Sequence, residues 1–104
     1  MSDIELTGDV SGYEEITVGT AVQTLTGTAY APSGALRANG AMITGLTAGV
    51  RWRCDGGSPG TAAPWGHPMG TADTLVISGA NNLSNFKVVA EGTVSATLLV
   101  TYFR

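Results

Sequence analysis

The one histidine of the chain, His67, decides how much catalysis the sequence can support. A nucleophile–base–acid set would combine it with Ser58 and with Asp55 or Asp73, which lie in or beside the same Gly- and Pro-rich stretch. Catalytic groups must be held in register by rigid elements, and such a loop offers little support. We therefore predict that the protein is not an enzyme and that it has no catalytic residues.

Metal and nucleotide sites have equally little support. His67, Cys54, Asp55 and Asp73 could each bind a metal, but zinc sites use closely spaced Cys and His pairs, and the sequence has no such pair. It also lacks a phosphate-binding glycine motif of either common type. We expect no metal and no cofactor.

Two tryptophans could contact a ligand or a partner. Trp52 alternates with Arg51 and Arg53, so it is expected to point into the core while the two arginines point outward. Trp65 lies between Pro64 and Gly66, where it is either an exposed binding residue or a plug over one end of the fold. An exposed Trp65 would suit a carbohydrate-binding module. Cys54 is either a small buried hydrophobe or a contact residue.

Charge is scarce and unevenly distributed. Only 12% of the residues are charged, against roughly a quarter in average soluble domains. The first 15 residues contain five acids and no base, whereas the remainder contains three acids and five bases. The net charge of −3 and the scattered bases argue against nucleic-acid binding. The acidic start is either a solvated tail or an arm that binds a basic face of a neighbour.

The elements that would position these residues are strands. Apolar residues alternate along 94–102, and shorter alternating or apolar runs lie at 15–18, 22–26, 42–46, 48–54, 75–77 and 84–90. Glu91-Gly92 predicts a tight hairpin, and 55–72 predicts one long loop. We predict an all-β fold, a small β-sandwich or barrel of about seven short antiparallel strands over residues 14–104. Residues 1–13 would form an extended acidic arm, with Ile4 and Leu6 on one face, which orders on assembly.

Three segments carry a resemblance to a known group of proteins. They are RWRCDGGSP at 51–59, GHPM at 66–69 and the closing LVTYFR at 99–104. Together they resemble small virion accessory proteins of tailed bacteriophages, over about residues 14–104. Cys54 and the Pro-rich insertion around Trp65 depart from that pattern.

The resemblance implies a capsid decoration (cement) protein that bridges capsid subunits and stabilises the head. Its expected partners are the major capsid protein and copies of itself, as a homotrimer, with no nucleic acid and no membrane. It would be made in the host cytoplasm and lie on the exterior of the phage head. A tail or connector component is the alternative virion role. The candidate partner contacts are Ile4, Leu6, Arg51, Arg53, Trp65, His67, Phe103 and Arg104.

Overall fold

The computed structural model describes residues 10–27, 37–60 and 66–104. In those residues the chain forms eight strands and one short helix. Their bounds are β1 Val10–Val18, β2 Gln23–Thr24, β3 Gly40–Leu46, β4 Val50–Arg53, β5 His67–Met69, β6 Thr74–Ser78, α1 Ala80–Asn85, β7 Lys87–Ala90 and β8 Ala96–Phe103.

The strands form two antiparallel sheets of four strands each. Sheet A has the order β1-β8-β3-β6, and sheet B has the order β2-β7-β4-β5. Residues from both sheets meet in one hydrophobic core. The predicted all-β fold is confirmed, with eight described strands where the sequence indicated about seven.

Period-two alternation accounts for the core. On β8, Ala96, Leu98, Val100 and Tyr102 are fully buried, as the apolar pattern predicts. Val94, which was placed in the same row, is 62% exposed because β8 begins only at Ala96.

Glu14 links the edge strand β1 to other parts of the sandwich through hydrogen bonds. Its neighbours Tyr13 and Glu15 are exposed, whereas Glu14 is half-buried. Its carboxylate accepts hydrogen bonds from the Tyr102 hydroxyl and from the Thr26 hydroxyl, the latter at 2.6 Å. Carboxylate acceptors make stronger hydrogen bonds than neutral ones. One of the five N-terminal acids therefore has a structural role.

The predicted hairpin is wrong because the chain changes sheet between its two strands. Glu91-Gly92 was expected to turn a hairpin, but β7 lies in sheet B and β8 in sheet A. The early strands β1 and β2 also lie in different sheets. Turn residues indicate where a strand ends, but they do not reveal which strand pairs with it.

Helix α1 replaces the predicted start of a strand. The strand expected from Ser84 begins at Lys87, after a six-residue helix over the Asn-rich segment. Gly79 precedes the helix with φ of 104°, and Leu83 is its single buried residue. So short a helix contains too few residues for a 3.6-residue period to be visible.

The long loop predicted over 55–72 contains strand β5. This edge strand pairs only with β4, so Pro68, which lacks an N–H, is tolerated there. At the other end of the chain, β1 begins at Val10. Residues 10–13 of the segment assigned to the acidic arm therefore belong to sheet A, and residues 1–9 lie outside the described residues.

Candidate functional site

A shallow depression of about 330 Å³ lies where β4 and β5 meet the start of the following loop. It is lined by Trp52, Arg53, Cys54, Asp55 and His67. The ring centroid of Trp52 lies 4.9 Å from that of His67 and 6.1 Å from that of Phe86. Trp52 packs against the core, as predicted, while His67 is exposed. The depression thus offers an aromatic surface beside charged groups, and His67 and Phe86 are ring neighbours of Trp52 there.

The charged groups of the depression hold a turn together. Arg53 Nε donates to Asp55 Oδ1 at 3.0 Å, and the Gly57 N–H donates to the same oxygen at 3.0 Å. The Lys87 ammonium donates to the Gly56 carbonyl at 3.1 Å, tying the turn to β7. The Arg53 guanidinium and then the Gly57 N–H lower the pKa of Asp55 to about 2. Arg53 was predicted as a partner contact, and its guanidinium binds Asp55 in this turn.

The titration of Asp55 tests this turn directly. Because its pKa is lowered in the folded state, the carboxylate contributes stability above its usual pKa of 3.8, and that contribution is lost as pH falls through about 2. We expect the Asp55 carboxyl, followed by carbon-detected NMR, to titrate near pH 2. Arg53→Gln should raise that midpoint toward 3.8. Lys87→Gln should leave the midpoint near 2, as in the unmodified protein. An Asp55 midpoint near 3.8 in the unmodified protein would contradict the pairing.

Cys54 and His67 do not form an activated thiol in this geometry. Burial, and then the nearby Asp55 carboxylate, raise the pKa of the Cys54 thiol. A thiol with a raised pKa stays protonated at neutral pH and is a poor nucleophile and metal ligand. Within residues 10–27, 37–60 and 66–104, no three His, Cys, Asp or Glu side chains are grouped so that they could hold a metal ion.

Arg51 forms contacts within the domain. Its side chain is only 13% exposed and forms a 2.8 Å ion pair with Glu91. Its Nη1 also donates to the Gly66 carbonyl at 3.1 Å. It therefore joins β4 to the segment after β7 and to the end of the long loop. Arg51 alternates away from the core, as predicted, but these contacts cover most of its side chain. Its role as a partner contact stays a prediction.

Glycine is required at position 66, where the long loop ends and β5 begins. Its φ is +118°, and a Cβ there would lie 3.0 Å from Pro59 Cβ and 3.2 Å from the Trp52 carbonyl oxygen. We expect Gly66→Ala to lower the free energy of unfolding by at least about 1–2 kcal/mol, the cost of a left-handed conformation for an L-residue. Urea denaturation measures this change. Ser58→Ala, an exposed change in the same loop, should have an effect below about 0.5 kcal/mol.

The other predicted contacts are dispersed. Phe103 is 1% exposed and lies against Gly40, where a Cβ would come within 2.3 Å of the ring, so this ring is enclosed by the protein itself. Arg104 follows it and is exposed. Ile4, Leu6 and Trp65 lie outside the described residues. Of the five predicted contacts that the structure describes, it brings Arg51, Arg53 and His67 together, around β4 and β5.

A different surface, the outer face of sheet A, was missed by the sequence reasoning. We define it by side chains that alternate away from the core on the four strands and are at least partly exposed. They are Tyr13, Glu15 and Thr17 on β1, Thr97, Leu99 and Thr101 on β8, Met42, Thr44 and Leu46 on β3, and Thr74, Val76 and Ser78 on β6. Tyr13 is 57% exposed and Val76 is 44% exposed.

The composition of this face is unusual for a protein surface. Within these described strands, Glu15 is its one charged side chain. Soluble surfaces carry roughly 25–35% charged residues, which would give three or four on a face of this size. The residues of this face lie in rows across the sheet, such as Tyr13, Thr101, Met42 and Val76. Leu99, on the side of β8 that faces away from the core, was the sequence signal for this face, but the extent of the face depends on the strand order.

No protein-family model, no curated protein and no solved structure matches the chain. In the described part of the chain, no helix is both long and apolar enough to span a membrane.

Proposed function

We propose that the protein is a structural component of a tailed-phage virion, a capsid decoration protein that binds the major capsid protein through the outer face of sheet A. The observation that carries the proposal is this broad sheet face with a single charged residue, Glu15. The resemblance of residues 51–59, 66–69 and 99–104 to virion accessory proteins directs it to a phage particle.

Desolvation favours a face with few charges as a docking surface. A charged side chain loses its hydration when a partner covers it, and this cost is several kcal/mol unless the charge is paired. Thr, Leu, Met, Val and Tyr side chains are covered at much lower cost, and apolar area then contributes roughly 25 cal/mol per Å². A pleated sheet face is also rigid, so little conformational entropy is lost on binding.

The sandwich provides the rigidity that such a role needs. The core beneath this face includes Ile43, Leu98 and Val100, all completely buried. On the face itself, the Thr44 and Thr74 hydroxyls lie 3.3 Å apart and link β3 to β6. A protein that stabilises a shell must itself resist deformation, and its function then comes from the area it buries on its neighbours.

Copy number in the particle tests the proposal. Quantitative mass spectrometry of purified virions should find the protein at hundreds of copies, a large fraction of the number of capsid subunits. About a dozen copies or fewer would instead support the tail or connector role, because those rings have low symmetry. Absence of the protein from virions would overturn both roles.

A further inference from the structure

The free edge of β6 is the least protected strand edge in the described sandwich. The four edge strands are β1 and β6 in sheet A and β2 and β5 in sheet B. β2 has two residues, and β5 has three, one of them Pro68. β1 contains Glu14 and Glu15 and a register shift between Val10 and Gly12. Short length, proline, charge and bulges are the usual protections of an edge, and β6 has none of them.

The backbone groups that β6 directs away from its sheet can be assigned from its pairing with β3. The Gly79 N–H donates to the Asn39 carbonyl, and the Gly45 N–H donates to the Asp73 carbonyl. Hydrogen bonding alternates along an antiparallel ladder, so Leu75 and Ile77 direct their backbone groups to β3. Thr74, Val76 and Ser78 therefore direct theirs to the free edge.

One contact at this edge supports the assignment. The Asn82 side-chain amide donates to the Ser78 carbonyl at 2.7 Å, which places that carbonyl on the outer side of β6. A carbonyl oxygen accepts two hydrogen bonds, so this contact leaves one acceptor position at Ser78. The N–H and C=O of Val76 lie at the centre of the edge.

The sequence of β6, Thr-Leu-Val-Ile-Ser, has a two-fold symmetric chemical pattern about Val76. If a second β6 runs antiparallel with Val76 opposite Val76, then Leu75 lies opposite Ile77 and Thr74 lies opposite Ser78. Aliphatic residues thus meet aliphatic residues, hydroxyls meet hydroxyls, and no charge is buried. Such cross-strand pairs are the favourable ones in antiparallel sheets.

We propose that β6 is a self-association site, at which a second copy of the chain pairs its own β6 antiparallel about Val76. Three residue pairs would exchange about six backbone hydrogen bonds. Sheet A of the two copies would become one eight-stranded sheet about 38 Å wide, given a strand spacing of about 4.8 Å. This proposal rests on the proposed function only in that the shared sheet doubles the face offered to a capsid.

The isolated contact is weak, which sets the conditions of the test. A single five-residue strand pair covers much less than the roughly 800 Å² per partner of a standard interface. We expect a dissociation constant on the order of 0.1–1 mM in solution. Binding of both copies to one lattice would raise the effective concentration and strengthen the contact. A two-fold pair also differs from the homotrimer implied by the resemblance, and sedimentation distinguishes the two by mass.

Charge reversal at the symmetry centre tests the contact. Val76→Lys places two lysines opposite each other, and Val76→Glu places two glutamates opposite each other, whereas a mixture can pair Lys with Glu. In sedimentation velocity with the full chain, each variant alone should dissociate at least tenfold more readily than the unmodified protein. An equimolar mixture should recover the dimer. Thr17→Lys, on the far edge strand of the same face, is the matched control and should leave dimerisation unchanged.

Three results would overturn the proposal. The first is that the unmodified protein is monomeric at about 1 mM. The second is that Val76→Lys associates as strongly as the unmodified protein. The third is that the mixture does not associate although both variants have the circular dichroism spectrum of the unmodified protein. If either charged variant misfolds, a disulfide test decides. In a Cys54→Ser background, Val76→Cys should oxidise to a dimer because paired Cα atoms lie about 5.5 Å apart, and Thr74→Cys should not. Equal cross-linking of both would also overturn it. These measurements involve no virus particle, so their failure leaves the capsid proposal standing.

Discussion

Replacing Leu99 by lysine is expected to weaken binding of the protein to phage heads that lack it by at least about tenfold, while the protein stays folded. Leu99 is at the centre of the outer face of sheet A, between Glu15 on β1 and Thr44 on β3. A lysine beside Glu15 is compatible with the isolated sheet. In a covered interface the lysine pairs with Glu15, but both charges must be desolvated, which costs about 1–4 kcal/mol relative to the apolar contact of Leu99, so the affinity should fall roughly 10- to 100-fold. Co-sedimentation of labelled protein with the heads measures this loss.

The control for this experiment carries the same charge change elsewhere. Asn81→Lys adds a lysine to the exposed surface of α1, which is not part of the outer face of sheet A. It should bind the heads with the affinity of the unmodified protein. If the Leu99→Lys variant binds as tightly as the unmodified protein and the Asn81→Lys variant does not bind, the docking surface includes α1 and not the outer face of sheet A.

The largest effect on stability is expected at Phe86. Its side chain is completely buried, and its ring stacks on Trp52 at the end of the core near the depression. Phe86→Ala should lower the free energy of unfolding by about 3–5 kcal/mol, the usual cost of removing a buried aromatic ring. Because the free energy of unfolding of small domains is only about 5–15 kcal/mol, this single change should remove a large part of it. Urea denaturation followed by Trp fluorescence measures it.

Val94→Ala is the matched comparison for that experiment. Val94 was predicted to share the buried row of β8 but is 62% exposed, so its truncation should change stability by less than about 0.5 kcal/mol. A loss comparable to that of Phe86→Ala would mean that Val94 is buried and that β8 begins earlier than Ala96.

The local alternation of apolar residues predicted most of the strands of this fold. Leu98, Val100 and Tyr102 follow a period of two, and their burial required no knowledge of the neighbouring strands. Strand partners were not predictable in the same way. Glu91-Gly92 resembles a hairpin turn, yet the chain there passes from one sheet to the other. Local residues determine a turn, whereas the partner of a strand depends on the packing of the whole core.

The candidate site shows the same division. His67, Arg53 and Trp52 were recognised by residue type, and β4 and β5 do bring them together. The low exposure of Arg51 was not predictable because Glu91, its ion-pair partner, lies 40 residues later in the chain. The outer face of sheet A combines residues from four strands that are distant in sequence, so its low charge became visible only once β8 was placed between β1 and β3.

Electron cryomicroscopy of intact virions tests the capsid role most directly. We predict ordered density for the two-sheet sandwich on the exterior of the head, at hundreds of equivalent positions, with the outer face of sheet A against the major capsid protein. Heads without such density, or a sandwich found only in the tail or connector, would contradict this account.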